Sequence, residues 1–171
     1  LAPKSILKQW QEELWTKFSI EAWRLDGKQI VGPKKRDDQP RQTKLLDSSN
    51  PFRSAEIMLV SSQLLRLDER QEQVLELDYD MVLLDEAHHA RARGKQGQRL
   101  PNKLLNVLEE LRYRTQGLIF LTATPIQLDR KELWDLLSLL ELPGEWQSET
   151  NFDKFFEQIG ETEPDWEFLF R

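Results

Sequence analysis

Three short apolar runs do most to limit what this chain can fold into. They are "AEIMLVS" (55–61), "MVLLD" (81–85) and "GLIFLTA" (117–123). None alternates apolar with polar as a half-solvated strand does, and each is too short for a buried helix. Between them lie segments with helical spacing. "SILKQWQEELWTKF" places Leu7, Trp10, Leu14 and Phe18 near a period of 3.6, with Ser5 available as a cap. "SQLLRLDERQEQVLEL" has the same character, and residues 101–116 set Leu104, Leu108 and Leu111 on one face. "LDRKELWDLLSLLEL" opens with a capping box, Asp129 and Glu132, and Pro143–Gly144 stop it. Apolar strands alternating with helices predict an α/β fold whose parallel sheet is covered by helices on both faces. "SIEAWRL" is a further β-rich run. The polar residues 27–54, with three prolines, predict a long loop or insertion.

In parallel sheets ligands bind beyond the carboxyl ends of the strands. Asp85 and Glu86 follow "MVLL", and Thr122 and Thr124 follow "GLIFL", so the polar residues collect on that edge. A buried strand ending in two acids can hold one carboxylate toward a Mg²⁺ that bridges nucleotide phosphates. It leaves the second free to accept a proton from attacking water. A strand that simply ends at a polar turn is the plain alternative. The only two histidines, His88 and His89, stand directly after the acids. Their spacing lacks the H-E-x-x-H pattern that puts two metal ligands on one helix face, and no G-x-S-x-G nucleophile elbow occurs.

With 171 residues the chain can bury one sizeable core, and with no cysteine it has no disulfide framework and no cysteine-held metal. No apolar run is long enough to cross a bilayer and no signal-peptide pattern opens the sequence. Net charge is −6, yet basic residues cluster locally: Lys34, Lys35, Arg36, Arg41 and Lys44 in one stretch, and Arg91, Arg93, Lys95, Arg99 and Lys103 in another. Either cluster is compatible with a solvated loop or with an anionic partner.

Taken in order, these segments resemble the first RecA-like lobe of a DEAH-box ATPase of the second helicase superfamily, of its Swi/Snf-type branch. "LLDEAHHAR" resembles motif II and "LTATPIQ" motif III. "LAPKSILKQWQEEL" resembles motif Ia and "LVSSQLLRLD" motif Ib. "ELWDLLSLLELPGEW" with "NFDKFF" resembles the stretch after motif III. "TATP" departs from the Thr-Gly-Thr-Pro frequent in the eukaryotic branch, which favours a bacterial or remote member.

The resemblance implies a partial RecA-like lobe over 1–142 and the start of a helical insertion or lobe extension over 143–171. It implies an ATP- and Mg²⁺-dependent, DNA-stimulated translocase, of duplex DNA for the Swi/Snf branch. It implies Asp85 at the metal, Glu86 as catalytic base, and His88 linking the nucleotide site to motif III. Thr122 and Thr124 would couple hydrolysis to movement, with Gln127 at the lobe interface. Ser5, Ser61 and Ser62 would face the nucleic-acid backbone. A second RecA-like lobe would complete the cleft. The setting would be the bacterial cytoplasm or nucleoid, or the nucleus of a eukaryote. No G-x-x-x-x-G-K-[ST] loop is found in the sequence. In the family that loop precedes motif Ia, so the chain reads as part of a larger enzyme and as inactive alone. The alternative is a non-catalytic protein-interaction module derived from such a lobe.

Overall fold

The computed structural model describes residues 1–34, 42–45, 50–94, 98–124 and 130–169. Helix α1 (Leu7–Phe18) follows the turn that contains Ser5. Its cap position is Ile6, which makes no side-chain cap bond, so Ser5 does not cap the helix. Ser19 ends α1 in the left-handed conformation, returning its own amide and that of Ile20 to the carbonyls of Trp15 and Leu14. The buried positions are Leu7 and Gln11, whereas Phe18, expected on the apolar stripe, is exposed. Gln11 pins the helix to the first sheet by donating to the carbonyls of Ala22 (2.9 Å) and Val31 (2.7 Å).

Strands β1 (Trp23–Asp26) and β2 (Gln29–Val31) form a hairpin, and β3 (Thr43–Leu45) adds to β2. Gly27 takes φ 61° in the two-residue loop, the kind of position where a side chain would be strained. The loop expected over 27–54 therefore contains two strands and a short helical turn, Pro51–Arg53. Lys44, from one of the basic clusters, sits over the Trp23 ring at 4.4 Å. Strand β4 (Met58–Leu59) pairs parallel with β1 and completes the order β3-β2-β1-β4.

Helix α2 (Asp68–Leu75) leads to β5 (Tyr79–Asp85). A small antiparallel ladder, β6 (Ala92–Arg93) with β7 (Leu100–Pro101), precedes α3 (Lys103–Leu111). The Asn102 side chain caps α3 by accepting from the Leu105 amide at 2.9 Å. Strand β8 (Thr115–Leu121) lies parallel to β5, with Asp85 opposite Leu121. Helices α4 (Arg130–Leu137), α5 (Glu149–Ile159) and α6 (Trp166–Leu169) follow. Asp129, the expected cap of α4, is outside the described residues.

Leu1 and Ala2 join the two parallel ladders. Ala2 pairs parallel with Ser61 beyond β4, while Leu1 donates to the Leu83 carbonyl and accepts from the Asp85 amide (2.8 Å). β4, this two-residue link, β5 and β8 therefore run in one direction, with their carboxyl ends on one edge. The core lies on one side of them: Val60, Leu65, Leu84, Leu104, Leu108, Leu111 and Leu136 pack together. Each such leucine contributes roughly 1.5–3 kcal/mol by leaving water. On the opposite side Met81 (59% exposed), Ile119 and Leu121 face outward. The architecture is the expected α/β one of parallel strands packed with helices, and among the described residues the outer face of β5 and β8 is open at these three positions.

Candidate functional site

Strand β5 carries Asp85 to the sheet edge and the chain then turns sharply. Glu86 adopts φ 52° and ψ 48°, left-handed for a residue with a Cβ, at a cost of about 1–2 kcal/mol. Strain of this kind concentrates at functional sites. The turn lets residues 87–89 form a single 3-10 turn that folds the chain back over the strand end. His88, 8% exposed, is brought between its neighbours in this way. Its Nδ1 lies 3.0 Å from Thr122 Oγ1 and 3.3 Å from Glu86 Oε2. The hydrogen bond is the one between Nδ1 and Thr122 Oγ1, its donor set by the imidazole tautomer, and the Glu86 carboxylate lies alongside Nδ1 as a charge contact. Three residues singled out from two separated motifs thus meet within hydrogen-bonding range.

Thr122 also accepts from the Thr124 amide at 3.2 Å, so Thr124 enters the cluster through its backbone. Gln127 lies outside the described residues. His89 stacks obliquely on His88 with ring centroids 4.2 Å apart. Partial burial first, and then the neighbouring His88, hold its pKa below the usual imidazole value.

The Asp85 carboxylate is gripped on both oxygens. Oδ1 accepts from the Glu86 amide at 2.8 Å and Oδ2 from the Trp10 indole at 2.7 Å. A carboxylate has about four acceptor sites, so lone pairs remain on each oxygen. Among the described residues no group of three or more His, Cys, Asp or Glu side chains could hold a metal by itself. A Mg²⁺ carried largely by nucleotide phosphates needs only one or two protein carboxylates, and Asp85 fits that requirement.

The residues expected to meet nucleic acid are placed less uniformly. Ser5 is exposed in the turn before α1. Ser61 and Ser62 lie on the same sheet edge but are buried, and Ser61 Oγ accepts from the Gln63 amide at 3.2 Å. Part of the second basic cluster is internal to the fold. Arg91 pairs with Glu132 at 2.7 Å and Arg99 with Asp135 at 2.7 Å, while Lys103 pairs with Asp68. Asp135 also accepts from the Ala92 amide, so the segment after the histidines is strapped onto α4. These pairs and the Trp10 bond escaped the sequence reading because their partners lie 35 to 75 positions apart. Residue spacing gives no sign of them.

Comparison with known proteins identifies the family. The profile of the SNF2-related domain matches residues 1–166. The RNA polymerase-associated protein RapA of Photobacterium profundum is 31% identical over 142 residues. Its namesakes from Sodalis glossinidius and Vibrio vulnificus are 30% and 31% identical over the same length. In each case the match covers 82% of this chain and 13% of the relative. The chain thus spans a small part of the relatives' length. With a parallel α/β sheet, an acid pair and threonines on its carboxyl edge, and a profile matching nearly every residue, the chain belongs to the SNF2-related domain family of Swi/Snf-type, helicase-like proteins.

Proposed function

We propose that this chain is part of the nucleotide-hydrolysing lobe of a DEAH-type motor that couples ATP hydrolysis to movement along duplex DNA. The observation that carries the reading is the convergence of Glu86, His88 and Thr122 at the tips of two paired parallel strands. Asp85 stands beside them, oriented for a Mg²⁺ that would arrive with the nucleotide and neutralise developing phosphate charge. Glu86 accepts the proton of the attacking water. His88 holds the Glu86 carboxylate and reports its state to Thr122, and the turn of Thr122 and Thr124 passes that state on. Gln127 acts at the boundary with a second RecA-like lobe. The exposed Ser5 turn and the turn of Ser61 and Ser62 face the DNA backbone. Ser61 and Ser62 are buried and the amides of Ser62, Gln63 and Leu64 already donate within the fold, so the exposed Ser5 is the hydroxyl better placed to meet phosphate, a contact without sequence preference. Residues 143–171, which include α5 and α6, begin a helical extension of the lobe.

The test is steady-state ATPase and translocation in the full-length protein that carries this domain. Hydrolysis stimulated by duplex DNA is expected. Thr122→Ala with Thr124→Ala should leave hydrolysis partly intact and cripple movement, because the substitutions remove the His88 contact without touching Asp85 or Glu86. Unchanged movement per ATP in the double variant contradicts the coupling role. Absence of any ATPase activity in the wild type contradicts the motor and favours the interaction module.

The 171 residues alone should bind Mg-ATP at most very weakly. Affinity in such sites comes mainly from backbone N–H groups and a lysine in the phosphate-cradling loop, whose motif this sequence lacks. Calorimetry with Mg-ATP checks this, and a stoichiometric micromolar isotherm means that the nucleotide site lies elsewhere.

A further inference from the structure

From α1, the indole of Trp10 reaches the strand tips. Its Nε1–H ends 2.7 Å from Asp85 Oδ2, across 75 positions of sequence. That length is typical of a bond strengthened by an ionised acceptor. The torsion that orients an aspartate carboxylate is broad and soft, so one donor leaves the plane of the group free to swing. Here each oxygen has its own donor: the Glu86 amide on Oδ1 and the indole on Oδ2. Both donors are held in turn. The amide is set by the left-handed Glu86 backbone. The indole is set by α1, where the Trp10 amide bonds the Ile6 carbonyl at 2.9 Å and Gln11, the next residue, is locked into the first sheet. With the plane fixed, the directions of the remaining lone pairs of the carboxylate are fixed as well.

We infer that Trp10 is a positioning residue for the metal-binding carboxylate: its indole N–H holds Asp85 in the orientation that receives the Mg²⁺ of a bound nucleotide. This rests on the assignment of Asp85 to the metal and adds a residue to it. Groups that orient a metal ligand typically change metal affinity by about 10- to 100-fold when removed. The phosphates carry most of the ion's coordination here, so the lower end applies. Trp10→Phe keeps an aromatic ring on α1 and removes only the donor and part of the ring area.

The test is nucleotide binding by the full-length protein, measured by calorimetry with ADP in excess Mg²⁺ and again in EDTA. A Glu86→Gln background repeats both titrations with ATP while suppressing turnover. Trp10→Phe should reduce the gain in affinity conferred by Mg²⁺ about tenfold and leave the affinity in EDTA unchanged. Half-saturation of steady-state hydrolysis by Mg²⁺ should shift upward by a similar factor. An unchanged Mg²⁺ gain overturns the inference. So does an equal loss of affinity with and without the ion, which would mean that Trp10 supports the fold and not the carboxylate. Asp85→Asn separates the two levels of the argument. If it too leaves the Mg²⁺ gain intact, the assignment of Asp85 to the metal has failed. If it abolishes the gain while Trp10→Phe does not change it, the failure is confined to Trp10.

Discussion

Glu86→Gln in the full-length protein should lower ATP turnover by a factor on the order of 10²–10⁴ while nucleotide binding is retained. That corresponds to about 3–5 kcal/mol on the barrier. The substitution isolates the chemistry because it preserves the shape. A glutamine has the same shape and can keep its place 3.3 Å from His88 Nδ1, so the 3-10 turn and the His88–Thr122 contact have no reason to rearrange. The Asp85 carboxylate keeps both its donors, since the Glu86 amide and the Trp10 indole are untouched. What disappears is the capacity to take up a proton. The 37% exposure of the Glu86 side chain also leaves room for water to approach it. Steady-state hydrolysis with and without DNA, alongside an equilibrium nucleotide titration, measures the two effects separately. Near-normal turnover in the variant removes Glu86 from the mechanism.

The acid pair was readable from sequence for a physical reason. A strand that must be buried and then present carboxylates to solvent writes an abrupt change from apolar to charged residues, and "MVLLDE" is that change. The threonines after "GLIFL" are legible by the same logic, and parallel pairing of β5 with β8 sets the two tips side by side. That His88 and Thr122 touch is not encoded locally. It depends on Glu86 entering the left-handed region, which no pattern of residue types announces. The polar stretch 27–54 concealed strands because β2 and β3 are three residues each, too short to show a period. The resemblance to motif Ib implies that Ser61 and Ser62 face the nucleic-acid backbone, yet pairing of this segment with Ala2 draws both inside. Gln11 reads as one more polar position on an amphipathic helix, and its burial follows from two carbonyls that only the folded sheet supplies.

Removing the carboxylate of Glu132 should destabilise the domain by about 3–5 kcal/mol, because Glu132 is itself buried and its loss strips a counter-charge from Arg91, whose side chain is only 11% exposed. Sequence presents Glu132 as a capping-box residue on a solvated helix start; in the fold it is 7% exposed and Arg91 Nη1 lies 2.7 Å from its Oε1. The neighbouring pair repeats the arrangement, with Arg99 on Asp135 at 2.7 Å. Both arginines belong to the segment that leaves the His88 turn, and both acids belong to α4. The four side chains therefore set how the region after β5 sits on the helix that follows β8.

Their energetics are those of buried charges. The Asp135 pKa is raised from its ordinary value, with burial the leading cause despite the Ala92 amide and Arg99, which pull it down. Ionising that carboxyl thus costs more in the folded protein than in the unfolded chain. Its contribution to stability is greatest below the unfolded value and is lost as pH rises through the folded one. Such a pair adds little net stability when intact and exacts a large penalty when halved. Glu132→Gln and Glu132→Ala should each show that penalty in urea unfolding of the 171-residue chain. Arg91→Met combined with Glu132→Leu removes both charges at similar volume and should recover most of the loss. If the single substitutions cost less than about 1 kcal/mol, as exposed pairs typically do, Arg91 is solvated in the working protein and does not strap the His88 turn to α4.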